Sequence, residues 1–334
     1  MARFMNKKQT ILIISLAMML LVVMSFSMTI GEFKMSPLAF FKTLFGFGDN
    51  MQTMILYEFR MPKMLVTILC GAALSLAGAI LQSITKNPLA DPGIVGINAG
   101  SGLFVVLLLL FIPADSNTFI YILPMASLLG GFITALFVFF LSYKHGEINP
   151  VRMILIGVGL STAFSGLMLM ITTTFRKEQV AFISEWLAGS IWGDTWPFVI
   201  VISICMLIVL PLVFYKATIL NILNTHEHVS TGIGVHVAKE RLILLILSVF
   251  LSASAVSICG AIGFIGLLAP HIAKGLVGPK HQTYLPISLL LGSILLSLSE
   301  VLGRVVLQPN GIPAGIIVSI IGAPYFLYLM KKAV

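Results

Sequence analysis

The chain is poor in charged residues. Only 10% of its 334 residues are Asp, Glu, Lys or Arg, whereas 58% are hydrophobic and the mean hydropathy is +1.07. Because soluble domains are about 25% charged, this composition excludes a soluble globular protein. Uncharged runs of about 20 residues recur along the chain, long enough for a helix to cross a ~30 Å hydrocarbon core. The sequence therefore predicts an all-α polytopic membrane protein.

The chain also has few residues that could form a disulfide or metal framework. Its three cysteines, Cys70, Cys205 and Cys259, lie in separate apolar runs, where cysteine behaves as a small hydrophobe. His226 and His228 are two positions apart, which places them on different sides of a helix, and no cysteine lies beside them. We therefore expect no metal site.

Residues for catalysis or ion coupling are missing from the first seven predicted spans, whose interiors contain no Asp, Glu, Lys, Arg or His. Membrane-embedded enzymes and ion-coupled carriers keep ionisable groups within the bilayer. The dipeptide Gly-Lys is absent, so no phosphate-binding loop for ATP exists. We expect no catalytic residue and no bound cofactor, but a pathway driven by a separate subunit. A secondary carrier and a membrane-embedded enzyme remain the alternatives.

The hydrophobic runs predict ten spans in one domain, residues 1–334. Lys7 and Lys8 before the first run, and Lys331 and Lys332 after the last, place both termini in the cytoplasm. An even number of crossings then requires the run 242–270 to be split, and its second part would be a helix of only about 22 Å. The spans are 9–31, 64–85, 92–114, 116–143, 153–175, 195–215, 242–262, 264–278, 281–299 and 305–330.

The positive charge supports this orientation. Thirteen of the 20 Lys and Arg residues fall on the inside and seven on the outside, as is typical of cytoplasmic loops. The net charge of +8 therefore indicates anchoring in membrane lipid and requires no nucleic acid.

Two outside and two inside segments carry most of the remaining polar residues. Outside, a loop at 58–63 precedes the second span, and Glu300 is one turn from Arg304, a spacing that predicts an ion pair. Inside are the loop 85–93 and the longest loop, 216–241. Residues 227–234 could form a short helix that turns at Gly234, either as a handle for a cytosolic ATPase or as part of an ordinary solvated loop.

Three motifs resemble the FecCD-type (BtuC-like) permease subunits of ABC importers for iron-siderophores, haem and vitamin B12. They are Gly78-Ala79-Ile80-Leu81-Gln82, Asn87-Pro88-Leu89-Ala90-Asp91-Pro92-Gly93 with Gly96, and the run from Gly263 to Ile272, Gly-Phe-Ile-Gly-Leu-Leu-Ala-Pro-His-Ile. The resemblance implies a type II importer permease in the bacterial cytoplasmic membrane. It also implies three partners: a second permease subunit, an ATPase dimer that binds ATP and Mg²⁺, and an extracytoplasmic substrate-binding protein.

The resemblance assigns roles to individual positions. Docking of the binding protein is expected at Arg60, Lys63 and Arg304, where Lys63 replaces the usual Arg and loses its bidentate fork. The cytoplasmic gate is expected at Asn87, Pro88 and Leu89. Coupling to the ATPase is expected at His226, Glu227, Ser230 and Gly234, of which His226 and Ser230 replace the usual Gly and Ala. The expected substrate is a ferric siderophore, with haem or cobalamin as the alternative.

Overall fold

The computed structural model describes residues 6–30, 35–93, 95–112, 117–144, 147–148, 150–225, 227–307 and 311–333. These residues form an all-α fold, which confirms the predicted class. The helices are α1 Lys7–Thr29, α2 Pro37–Leu44, α3 Asn50–Met54, a π-helical segment Ile55–Arg60, α4 Met61–Thr85, α5 Ile97–Phe111, α6 Asn117–Ser142, α7 Pro150–Thr172, α8 Lys177–Leu187, α9 Trp196–Tyr215, α10 Ala217–Leu223, α11 Glu227–Gly232, α12 Val237–Cys259, α13 Ile265–Val277, α14 His281–Val306 and α15 Ala314–Ala333. One antiparallel pair of two-residue strands, β1 Tyr143–Lys144 and β2 Glu147–Ile148, joins α6 to α7.

Ten apolar helices correspond one to one with the ten predicted runs. In the part of the chain that the structure describes, eight helical stretches are long and apolar enough to cross a bilayer. The other two, α5 and α13, have 15 and 13 residues. At about 1.5 Å per residue, helices of this length are shorter than a ~30 Å hydrocarbon core. Ten crossings therefore remain a prediction.

The segment 58–63 is helical, so the prediction of a loop before the second span is wrong. The stretch Asn50–Thr85 is one continuous helix of 36 residues. Its π-helical segment ends where the Met61 N–H bonds the carbonyl of Leu56, five residues back. Pro62, which has no N–H to donate, follows directly after this wider turn. The change in hydrogen-bond spacing therefore falls where the proline would interrupt regular α-helical bonding, and the helix continues past it.

Close backbone contacts hold α4 in the centre of the bundle, where 83% of its apolar stretch is buried. A Cβ on Gly71 would overlap the Gly292 carbonyl of α14, and one on Gly78 would overlap the Gly266 carbonyl of α13. Between these two levels, the Ser75 hydroxyl bonds the Ser288 carbonyl at 2.7 Å. Small residues at such spacing let membrane helices approach closely, which is how α4 becomes the central helix.

The loop after α4 turns back into the bundle, between the starts of the short helices α5 and α13. The Asn98 amide of α5 donates to the Ile262 carbonyl at 3.4 Å. Asp91 Oδ1 and the Leu74 carbonyl oxygen lie 2.8 and 3.0 Å from the point where a Cβ of Gly266 would stand. Asp91 is therefore buried beside the middle of α4, at 6% exposure. Asp91 lies outside the predicted spans, in the loop 85–93, so this carboxylate reaches the interior of the bundle from a connecting segment.

Candidate functional site

Following the predicted orientation, we call the end of the bundle where α1 ends and α4 begins the outer end. Two arginines meet the end of α1 there. Arg60 Nη1 donates to the Met28 carbonyl, and Arg304 Nη2 donates to the carbonyl and hydroxyl oxygens of Ser27, at 3.1 and 2.9 Å. The last carbonyls of a helix lack partners within it and form the negative end of its dipole. Both guanidinium groups therefore cap α1.

Glu300 lies between two of the three cations predicted to dock the binding protein. Its Oε2 is 3.4 Å from Arg304 Nη2, which confirms the predicted ion pair, and its Oε1 is 3.9 Å from Lys63 Nζ. Side-chain exposure is 34% for Lys63 and 25% for Arg304, whereas Arg60 as a whole is 9% exposed. The structure thus gathers the three cations at one end, where Lys63 is the most accessible.

Asp194, in the segment between α8 and α9, interacts electrostatically with Lys63. Burial raises the pKa of its carboxyl group, and the charge of Lys63 opposes that rise. Lys63 therefore has two acidic neighbours within its own chain, Glu300 and Asp194. Sequence reasoning missed Asp194, because it is 131 positions from Lys63 and matches none of the motifs.

The predicted gate is a tight turn at the opposite, inner end. Helix α4 ends at Lys86, whose φ of 52° is left-handed. The side chain of Asn87 accepts the Leu89 N–H at 2.9 Å, and the Asn87 carbonyl accepts the Ala90 N–H at 3.2 Å. Pro88 is exposed, whereas Leu89 packs on a cluster that joins α13 to α15, formed by Leu267, Leu268 and Leu329. The turn is thus anchored in the bundle by Leu89, whereas its Pro88 side is exposed.

The predicted coupling helix exists as α11, and Gly234 ends it. The Val235 N–H bonds the Ser230 carbonyl and the Gly234 N–H bonds the Thr231 carbonyl, the pattern of a Schellman cap with glycine in the left-handed region. The φ of Gly234 is 85°. His226 lies outside the described residues, as does the side chain of Glu227. The remaining site residue, Ser230, is buried and donates to the Ile222 carbonyl of α10 at 3.0 Å.

Gate and coupling segments lie next to each other at the inner end. Lys86 Nζ, one residue before the gate, bonds the Thr225 carbonyl between α10 and α11 at 2.5 Å. Asn221 of α10 bonds His281, the first residue of α14, and His281 in turn contacts Ser83 of α4. Sequence reasoning missed Asn221 and His281, whose only signal was a histidine at the start of a predicted span.

Among the described residues, no group of three or more His, Cys, Asp or Glu side chains is placed to hold a metal ion. Cys70, Cys205 and Cys259 are free thiols, and Cys70 and Cys259 are buried.

Comparison with known proteins gives consistent matches over the whole chain. The model of the FecCD transport family matches residues 19–332. The iron(3+)-hydroxamate import system permease protein FhuG of Bacillus subtilis is 40% identical over 328 residues, 97% of each chain. The Fe(3+)-citrate import system permease protein YfmE of Bacillus subtilis is 38% identical, covering 98% of this chain and 96% of its own. A solved chain of an inward-facing, metal-chelate type ABC transporter has a TM-score of 0.84 and 31% identity, covering 96% of this chain and 98% of that one.

Proposed function

The chain belongs to the FecCD transport family, and we propose that it is the permease subunit of an ABC importer that carries ferric siderophores across the membrane. It is a multi-pass membrane protein of a family of transport components. Relatives named for iron(3+)-hydroxamate and Fe(3+)-citrate import favour ferric chelates over haem or cobalamin as the substrate. We place it in the bacterial cytoplasmic membrane, with both termini in the cytoplasm.

The energy for uphill transport comes from a partner in this proposal. The sequence has no phosphate-binding loop, so ATP and Mg²⁺ are assigned to an ATPase dimer, and this chain binds no cofactor. A second permease subunit, identical or paralogous, would complete the pathway. The exposed surface of α7 supports such a partner, since only 11% of its apolar stretch is buried and Gly159 and Gly166 face open space.

At the outer end, the proposed step is docking of a loaded binding protein. Acidic residues of that protein would approach Lys63 first, because it is the most accessible of the three cations. Arg60 and Arg304 would add positive potential from their positions at the end of α1. Such complementarity sets orientation and association rate more than affinity.

The observation that carries the mechanism is the proximity of the coupling segment to the gate, through Lys86 and Thr225. ATP binding would draw the ATPase dimer together and displace α11, which is held to α10 by Ser230. The Asn87–Leu89 turn would then open or close with α4 and the coupling segment. The siderophore would cross a pathway that holds it weakly and releases it inside.

The test is uptake of radioactive iron and growth of a deletion strain that expresses the chain with its partners. Ferric hydroxamates, ferric catecholates, ferric citrate and haem are supplied singly as iron sources. We expect growth and uptake on at least one ferric siderophore, both abolished by an ATPase variant that cannot hydrolyse ATP. Growth on haem alone would favour the alternative substrate. Uptake that continued with the inactive ATPase would favour an ion-coupled carrier, for which buried Asp91 would be the candidate ion-binding group.

A further inference from the structure

A chain of hydrogen-bonded polar side chains crosses the inner end of the bundle and joins three helices; Ser83 and His281 are buried and Asn221 is partly buried. Ser83 Oγ of α4 lies 2.6 Å from His281 Nε2, at the start of α14. His281 Nδ1 lies 2.7 Å from Asn221 Oδ1 of α10, and the His281 N–H bonds the same oxygen at 2.9 Å. His281 is fully buried. These contacts connect residues 198 and 60 positions apart in the sequence.

The hydrogen-bond partners fix the tautomer of His281. The Asn221 amide nitrogen donates to Gln282 Oε1 at 2.7 Å, so the Asn221 oxygen faces His281. An amide oxygen only accepts, and His281 Nδ1 must therefore carry the ring proton. In the neutral ring His281 Nε2 is then an acceptor, and the Ser83 hydroxyl donates to it at 2.6 Å in preference to the Ala79 carbonyl of its own helix at 2.9 Å. The three side chains are neutral, and both ring nitrogens of His281 have a hydrogen-bond partner. Such a fully satisfied network specifies one geometry.

Asn221 and Ser83, at the two ends of this hydrogen-bonded series, lie next to the proposed coupling segment and the proposed gate. Asn221 precedes Ile222, whose carbonyl accepts the Ser230 hydroxyl of α11. Ser83 lies in the last turn of α4, which leads through Lys86 directly into the Asn87–Leu89 turn. A displacement of α10 must therefore either carry His281 and α4 with it or leave a buried ring nitrogen without a partner, which is unfavourable.

We infer that Asn221, His281 and Ser83 are positioning residues through which movement of the coupling segment reaches the gate. This inference rests on the proposed function and assigns a route within it. The exposed bond between Lys86 and Thr225 is a second link between the same segments. The link through His281 has more fixed directions than the Lys86 link, because its bonds leave a fully buried aromatic ring and not a flexible, exposed lysine side chain.

The experiment uses the complete transporter in lipid vesicles, with its ATPase and loaded binding protein, and measures ferric siderophore imported per ATP hydrolysed. Asn221→Leu keeps the side-chain size but removes the acceptor for His281. We expect this ratio to fall about threefold to tenfold, within the range in which mutations along a coupling route act. ATP hydrolysis should stay close to wild type, whereas Tm should fall, because two His281 donors lose their acceptor. Asn221→Asp retains an acceptor for both His281 donors and is expected to keep the wild-type ratio.

Two serines supply a matched control. Ser83→Ala and Ser293→Ala each remove a hydroxyl that joins α4 to α14. Ser83 lies at the inner end, 2.6 Å from His281 and 3.4 Å from the Tyr284 hydroxyl, and Ser293 bonds the Ile68 carbonyl nearer the outer end. Only Ser83→Ala should lower the ratio. The two serine variants test the inference even if the Asn221→Leu transporter does not assemble.

An equal ratio in Ser83→Ala, Ser293→Ala and wild type would overturn the inference, and so would an Asn221→Leu transporter with normal import per ATP. Equal losses in the two serine variants would also contradict it, because they would indicate general loosening of the helix pair. If the wild-type transporter imports no ferric siderophore, the proposed function fails instead, and the two failures are therefore distinct.

Discussion

At the outer end of the bundle, charged side chains surround the end of α1, whereas at the inner end neutral side chains connect α4, α10 and α14. Lys63 and Arg304 lie 3.9 and 3.4 Å from Glu300, and Arg60 donates to the Met28 carbonyl at the end of α1. Asn221 and His281 instead meet at 2.7 Å, where Asn221 is partly buried and His281 fully buried. Charge pairs act over a Debye length of about 8 Å in physiological salt and are weakened by it. Neutral hydrogen bonds act only at contact and depend on direction. The outer end is thus suited to attracting a partner, and the inner end to keeping segments in register.

The largest effect is expected from Arg60→Glu, which tests whether Arg60 stabilises the end of α1 or serves mainly to dock the binding protein. Arg60→Glu would place a carboxylate against the Met28 carbonyl at a position only 9% exposed. Losing one side of a buried charged contact lowers the free energy of unfolding by about 3–5 kcal/mol. Because Arg60 and Arg304 both cap α1, replacing either by Glu should cost folding stability as well as docking charge. Thermal unfolding in detergent measures the effect.

Lys63→Glu is the matched control, because Lys63 is the most accessible of the three cations. We expect it to change stability by about 1 kcal/mol or less, but to weaken binding-protein docking and flatten the dependence of its Kd on salt. Equal stability of Arg60→Glu and Lys63→Glu would contradict the cap on α1. A Kd that rises just as steeply with salt in Lys63→Glu would remove Lys63 from the docking surface.

A smaller effect is expected at the inner end, from Gly234→Ala. The φ of Gly234 is 85°, and nothing lies within 4 Å of its potential Cβ. The strain therefore comes from the backbone alone, at about 1–2 kcal/mol for a residue with a Cβ. We expect the end of α11 to shift and siderophore import per ATP to fall about twofold to fivefold, and we expect Gly234→Val to be worse than Gly234→Ala, because a β-branched side chain disfavours a positive φ further.

Gly232→Ala is the control for Gly234→Ala, since Gly232 also faces open space but its φ is not positive. Import per ATP should remain at the wild-type level in that variant. If the two alanine variants behave alike, the Schellman cap does not set the position of α11.

Whether the sequence predicts a contact at either end of the bundle depends on how far apart the two contacting residues lie along the chain. The ten helices followed from run length and apolar composition, and the Glu300–Arg304 pair from a spacing of four. The burial of Asp91 requires a contact with Gly266 that no local pattern contains. His281 likewise gains its role from Ser83, 198 positions away. Local chemistry was therefore predictable, whereas contacts between distant segments required the folded chain.

The smallest expected effect concerns Asp194, which sets how much of the charge on Lys63 is available to a partner. Because burial raises the pKa of Asp194, the folded state binds its proton more readily than the unfolded state does. Stability from this group is therefore greatest in acid and is lost as pH rises from the unfolded value, about 3.9, through the folded one. Asp194→Asn should flatten that dependence in a thermal-unfolding series against pH.

At neutral pH, Asp194→Asn should also strengthen binding-protein docking about twofold, because it removes a partly buried negative charge that acts on the half-exposed Lys63, and such interactions near the surface are worth only about 0.2–1 kcal/mol. The Kd of the loaded binding protein measures this. Glu185→Gln removes an exposed carboxylate of α8 and controls for the change in net charge. If both variants shift the Kd equally, the effect is one of overall charge. A shift confined to Asp194→Asn would show that docking partners compete with Asp194 for Lys63.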